Sequence, residues 1–260
     1  YTIGSKWKQR YVIDRDGDYL ILPAQWNLEP QNWAPYKADE WEERVWQDLC
    51  IACHTTGYNK DAREINEAGV GCEACHGPGG DHVEAGTGEH IVNPAKLDPN
   101  LSTDICGQCH VRGKNKLEDR DDALGFKVGQ SLDEVYDPLE PEFSEDDKRF
   151  HPDGASKSHH QQLNDYVQSK HYEQDISCAD CHESHMAATE EGDLPLKEDS
   201  LDALCTKCHT EGGSAPALET PIDLDKYMPK RAKSAVDPDI RSHTYKPDQP
   251  RTTVEEDYEE

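Results

Sequence analysis

Apolar residues are scarce in this sequence, and no run of them approaches the roughly 20 needed to cross a bilayer as a helix. Hydrophobic residues make up 34% of the 260, with only 3 Phe and 2 Met, while charged residues reach 31%. A chain of that composition ordinarily cannot bury enough side-chain surface to offset its conformational entropy. Basic residues are scarce too: 27 Lys and Arg stand against 54 Asp and Glu, for a net charge of −27. Such acidity argues against binding nucleic acid or an anionic lipid surface. It fits a well-solvated surface, or steering toward a basic partner. Tryptophan is absent after position 46, and the 10 cysteines occur nowhere outside one repeated pattern.

That pattern is Cys-x-x-Cys-His, written as Cys50–Cys53–His54, Cys72–Cys75–His76, Cys106–Cys109–His110, Cys178–Cys181–His182 and Cys205–Cys208–His209. Zinc sites would pair cysteines four at a time without needing a histidine after each pair. A redox dithiol or a disulfide framework would not need it either. Attachment of c-type haem needs all three residues: two thiols form thioethers with the porphyrin, and the next imidazole ligates iron. Five covalently bound haem c groups are the expectation. Each would bury roughly 400 Å² of apolar surface, about 10 kcal/mol at 25 cal/mol per Å². The core is then mostly porphyrin, and covalent attachment restrains the unfolded chain as a disulfide does. An apo variant with its cysteines changed to serine is expected to be disordered, as circular dichroism would report. Haem of this type is attached outside the cytoplasmic membrane in prokaryotes, and the sequence opens on Tyr1 as a processed chain would. An exported protein, extracellular or else periplasmic, is expected.

The expected fold class is a multihaem cytochrome c, mostly coil with short α-helices around a haem chain and a small N-terminal β-hairpin. Residues 1–49 are haem-free and hold Trp7, Trp26, Trp33, Trp41 and Trp46. Within them Tyr11–Ile13 and Tyr19–Leu22 flank an Asp-Gly turn, which reads as the hairpin. The aspartates of that turn lack the spacing and terminal Glu of a calcium loop. After Pro35 a helix of about 15 residues is predicted, with Trp41, Val45 and Leu49 on one stripe covering the first haem. Residues 50–125 form a three-haem region, and 126–170 a polar connection ending in a helix over about 159–170. Residues 171–212 hold two haems, and 213–260 form an acidic tail. Gly77-Pro78-Gly79-Gly80 reads as a turn passing close to a flat cofactor.

Eight histidines lie outside the motifs, against Met186 and Met228 as thioether candidates, so bis-histidine ligation is expected. His82, His159, His160, His171, His185 and His243 are the candidate distal ligands. His171 and His185 are placed to reach a neighbouring haem. His159 shares a predicted helix face with Leu163, Tyr166 and Val167, His160 lies about 100° away, and either could ligate. His90 and His151 fall in polar loops and read as solvated.

Gly69-Val70-Gly71-Cys72-Glu73-Ala74-Cys75-His76-Gly77-Pro78-Gly79 resembles the second haem site of multihaem cytochromes of the doubled Cys-x-x-Cys-His group. So do Cys106-Gly107-Gln108-Cys109-His110-Val111-Arg112-Gly113 and Ser169-Lys170-His171-Tyr172 leading into Cys178. The resemblance implies electron transfer along closely spaced haems. Its relatives include periplasmic carriers and extracellular cytochromes that polymerise into conductive filaments, so homopolymer contacts, redox partner proteins or extracellular acceptors are the implied partners. The group shares haem stacking with pentahaem nitrite reductases, which replace one motif histidine with lysine. All five motifs here keep histidine, so a carrier rather than an enzyme is expected. In the tail, Met228-Pro229-Lys230 and Asp239-Ile240-Arg241-Ser242-His243-Thr244 look like the sequel to a sixth motif, with Asp223, Lys226 and Tyr227 in place of its Cys, Cys and His. The resemblance makes His243 a distal-ligand position, for an iron of its own chain or of a neighbour.

Overall fold

Four antiparallel strands open the chain: β1 (Thr2–Ile3), β2 (Lys8–Arg15), β3 (Asp18–Asn27) and β4 (Asn32–Pro35), side by side in that order. The structure is a computed structural model and describes residues 1–186, 195–235 and 238–247. Pairing of β2 with β3 runs to Arg15 opposite Asp18, leaving Asp16-Gly17 as a two-residue loop. Both loop residues take positive φ, 55° and 92°, the combination that matches the twist of a tight hairpin. Asp14 Oδ1 accepts the Gly17 N–H at 2.9 Å and closes the turn. The hairpin is thus the centre of a larger sheet, whose buried Val12 and Ile21 pack with Tyr36 against Trp46 and Cys50.

The predicted helix after Pro35 does not form as one piece. A single 3₁₀ turn at Trp41–Glu43 gives way to extended Val45, and separate turns follow at Trp46–Leu49 and Ile51–His54. The cause is the sheet. Ile21 donates its N–H to the Arg44 carbonyl at 3.0 Å, and Leu20 bridges Val45. A β-branched residue accepts that strand-like role readily. The Trp41–Val45–Leu49 stripe is therefore lost: Leu49 is exposed, and Trp46 is the tryptophan that packs against the cluster Cys50 also meets.

Beyond residue 50 the described residues form coil, short helices and three two-stranded ribbons: β5 (Thr55–Thr56) with β6 (Glu67–Ala68), β7 (Gly113–Asn115) with β8 (Tyr136–Pro138), and β9 (Lys230–Lys233) with β10 (Pro238–Arg241). A Cβ on Gly113 would lie 2.0 Å from the Asp137 carbonyl oxygen, so only glycine lets β7 and β8 approach. Pro99–Gly107 is the longest described helix at 9 residues; Asp98 caps it by accepting the Asn100 N–H at 3.0 Å. The second apolar cluster joins Val111, Ala123, Leu132, Val135, Tyr136 and Leu163. The haem-free region after 126 therefore contributes core as well as connection.

The helix predicted over 159–170 is also interrupted. His160 has φ 62°, helix begins only at Gln162–Tyr166, and Ser169 caps a new turn at Lys170–Glu173. Asn164 holds the first segment by donating to the Arg112 and Leu139 carbonyls at 3.0 and 2.9 Å. In the tail, Asp223 caps a single turn at Leu224–Tyr227, and Arg241 at the end of β10 donates to Asp225 of that turn at 2.7 Å and to the Met228 carbonyl at 2.9 Å. The acidic C-terminal stretch lies outside the described residues.

His151, expected at the surface, is buried at 7% exposure, with Nε2 3.4 Å from the Arg231 carbonyl oxygen. Burial first, then the Arg231 charge, lowers its pKa from 6.5 to about 4. The folded chain thus binds this proton less readily than the unfolded one. The stability His151 contributes as a neutral ring is full above about pH 6.5 and is lost as pH falls toward 4, to a limit of about 3 kcal/mol. His151→Gln is expected to flatten that stretch of the stability-versus-pH curve, read from guanidinium midpoints.

Candidate haem-binding site

Each Cys-x-x-Cys-His segment folds as a helical turn, because four residues span just over one turn and bring the histidine above the first cysteine. The His54, His110, His182 and His209 amides donate to the carbonyls of Cys50, Cys106, Cys178 and Cys205 at 3.2, 3.1, 3.0 and 2.9 Å. His76 closes the helix Cys72–His76, and Gly77 turns the chain away at φ 75°. None of the ten cysteines is in a disulfide. Burial pushes Cys50 and Cys181 up to about 11, so both are neutral thiols at ordinary pH.

The distal candidates fall opposite the motif rings. His76 faces His185 with ring centres 6.0 Å apart and planes at 16°, and His110 faces His160 at 6.0 Å and 17°. His209 faces His171 at 5.9 Å, and His182 faces His243 at 6.5 Å. Direct ring stacking would be closer. Two imidazoles bound on opposite sides of one metal, each bond about 2.0 Å plus the half-width of a ring, give roughly 6 Å. The donor set and its spacing therefore fit an iron between each pair. His159 sits 4.4 Å from His160 at 64°, and it shares the field of Arg10 with His54. Among the described residues no ring faces His54, and His159 and His82 are the two sequence candidates without a motif ring opposite them.

Five of the rings are held in the tautomer that ligation through Nε2 requires. A proton on Nδ1, given to a backbone or amide oxygen, leaves the Nε2 lone pair for a metal. His76 Nδ1 lies 2.8 Å from the Val92 carbonyl, His110 Nδ1 3.2 Å from Gln162 Oε1, and His209 Nδ1 2.8 Å from the Pro216 carbonyl. His160 and His243 do the same toward the Cys109 and Arg241 carbonyls, at 3.2 and 3.0 Å. Burial lowers His160 to about 3 and His243 to about 4, and it lowers His54, His110, His159 and His171 as well. These are neutral imidazoles, the form that binds iron.

His82 and His90 stand apart. His82 Nδ1 lies 3.1 Å from the Glu89 carbonyl, but its ring meets no other ring among the described residues; His90 is exposed. Two residues with no sequence signal join the site. Tyr245 places its ring 4.3 Å from His171 and 6.2 Å from His243, and the Arg112 guanidinium lies 3.4 Å from His159 Nδ1.

The motifs also approach one another. Cys53 and Cys109 are within hydrogen-bonding reach, as are Cys106 and Cys178. Cys75 lies in the field of Cys106 and Cys109, and Cys181 in that of Cys205 and Cys208. Gln108 ties the third motif to the second by donating to the Ala74 carbonyl at 3.0 Å.

Residues 26–77 match the family described as cytochrome c554 and c-prime. A multiheme cytochrome MtrA of Shewanella baltica (strain OS185) is 25% identical over 181 residues, 63% of this chain and 53% of that protein. A cytochrome c-552 of Aliarcobacter butzleri (strain RM4018) is 25% identical over 169 residues, 54% of this chain and 33% of that one. The chain thus spans about half, or less, of the curated relatives it matches. The crystal structure of an outer cell wall cytochrome, OcwA, superposes with a TM-score of 0.68 at 21% identity, covering 92% of this chain and 65% of that one. The chain is similar in sequence to parts of these cytochromes and shares the fold of the outer cell wall cytochrome OcwA.

Proposed function

We propose that this chain binds five haem c groups, one at each Cys-x-x-Cys-His segment, and passes electrons along them as an exported protein of extracellular electron transfer. The observation that carries the reading is the set of opposed imidazole pairs at about 6 Å. An iron porphyrin with both axial positions filled exchanges one electron with little change in structure. The protein's part is to fix ligand orientation and spacing, to keep the imidazoles neutral and to set their basicity through Nδ1. No bond is made or broken.

The close thiols support a row in the order first, third, fourth, fifth motif, with the second beside the third. His185, which follows the fourth motif, faces the ring of the second and so ties that site to the fourth as well. A reductase would need an iron with an open distal position, and four motif histidines already face a partner. The short apolar core and the aromatic residues left at the surface, Tyr1 and Trp33 among them, suit the subunit of a conductive filament. A discrete periplasmic carrier is the alternative. Intact mass of the secreted protein tests the haem reading, with five haem increments expected and fewer overturning it. Negative-stain microscopy of the same material decides between filament and carrier.

A further inference from the structure

The opposed histidine pairs differ in how their planes lie. His76 and His185 are nearly parallel at 16°, His110 and His160 at 17°, and His182 and His243 stand at 36°. His171 crosses His209 at 66°. The Nδ1 atoms set the same ring apart. His76, His110, His160, His209 and His243 each have an oxygen there. His171 Nδ1 is buried with no hydrogen-bond partner among the described residues. A ring without that bond has no polar contact to fix its rotation, so packing must set its plane.

The packing comes from Tyr245. Its ring centre lies 4.3 Å from that of His171, with the planes at 60°. The same ring meets His243 and Tyr166, each at 6.2 Å. Tyr166 is anchored by donating its hydroxyl proton to the Ile176 carbonyl at 2.6 Å, and the Ile176 N–H donates to the His171 carbonyl at 3.1 Å. The wedge is thus braced against the segment it acts on. Tyr245 has φ 52°, a left-handed conformation that a bulky residue keeps only where its surroundings impose it. Those surroundings are firm. Ser242 and Thr244 are buried, and Lys246 donates to the Asp153 carbonyl at 2.8 Å and to Gln168 Oε1 at 3.3 Å.

We propose that Tyr245 is a positioning residue that holds His171 crosswise to His209, giving the fifth Cys-x-x-Cys-His site crossed axial planes and favouring its ferrous state. This rests on the haem-binding reading above. Crossed imidazole planes leave two iron d orbitals nearly equal in energy, whereas parallel planes split them. Ferric iron at a crossed site therefore gives an electron paramagnetic resonance signal with one very large g value, and at a parallel site a rhombic signal. An imidazole with no acceptor at Nδ1 is also the weaker donor, which stabilises ferric iron less.

The test is electron paramagnetic resonance of the oxidised five-haem protein, with redox titration of each signal. A large-g signal is expected that Cys205→Ser with Cys208→Ser removes, while the rhombic signals of the second and third sites remain. Glycine accepts φ 52° without strain, so Tyr245→Gly takes away the ring and keeps the backbone. The fifth-site signal should then turn rhombic. Water admitted to Nδ1 should lower that site's ferrous-to-ferric ratio at fixed potential about tenfold, which is about 59 mV for one electron. Tyr245→Phe keeps the ring and should match the unsubstituted protein in both readings. The fourth site should change little in Tyr245→Gly, since His243 retains the Arg241 carbonyl at Nδ1. Tyr245→Asn, also at home in the left-handed region, serves should the glycine protein not fold. The proposal is overturned if loss of the fifth haem removes no large-g signal, or if that signal survives Tyr245→Gly. It is equally overturned if Tyr245→Phe behaves as Tyr245→Gly does. A mass short of five haems would defeat the binding reading; full mass with an unmoved fifth-site signal defeats only this one.

Discussion

Alanine at His160 is expected to turn one of five low-spin centres high-spin while the intact mass still carries every haem. On the proposed reading the thioethers of that site would come from Cys106 and Cys109, which the substitution leaves alone. What is lost is the ring opposite His110 at 6.0 Å, held by the hydrogen bond from Nδ1 to the Cys109 carbonyl. The neighbouring His159 cannot substitute without turning its ring, since the two planes stand at 64°. It would also have to leave Arg112. Iron with one axial histidine and an open side is high-spin and takes small ligands, so carbon monoxide should bind one haem in five. His82→Ala is the contrasting case, with no change expected in spin state, because no ring faces His82. Five low-spin signals in His160→Ala, or a high-spin signal in His82→Ala, would show that the pairing is wrong.

How much of this could be read from the sequence depended on the range of the forces involved. The β2–β3 hairpin was legible because its turn is decided by Asp14, Asp16 and Gly17 among themselves. The helix after Pro35 was not, although its local pattern was sound. Val45 is claimed by Leu20, 25 positions away, and a strand bridge outweighs the small preference of a short segment for helix. The region 159–170 failed for a similar reason, with His160 drawn to the Cys109 carbonyl and Asn164 to Arg112 and Leu139. The Cys-x-x-Cys-His segments stand out in the sequence because the pattern is written in five consecutive residues. Which distal ring faces which motif was not legible, since each pair joins positions far apart in the chain, from His171 and His209 to His76 and His185. His151 shows the converse: a polar neighbourhood in sequence concealed a buried ring under Arg231.

Removing the third haem should cut the row, and removing the second should not. Cys106→Ser with Cys109→Ser takes away the group whose thiols lie against Cys53 on one side and Cys178 on the other. Electron exchange between the first and fourth sites is then expected to slow by orders of magnitude, followed as the spectral equilibration after a reducing pulse. Cys72→Ser with Cys75→Ser removes one haem as well, but it leaves those contacts in place, and exchange between the same two sites should persist near its original rate. The comparison separates loss of a conductor from loss of structure. The third motif is also built into the fold: Leu163 donates its N–H to the His110 carbonyl at 2.9 Å, and a Cβ on Gly107 would lie 2.5 Å from the Leu163 side chain. Unfolding midpoints of both four-haem proteins should therefore accompany the kinetics, the third-motif variant being the less stable. Equal slowing in both, at equal stability, would mean that electrons reach the fourth site through the second, and that the branch drawn from the thiol positions is the main line.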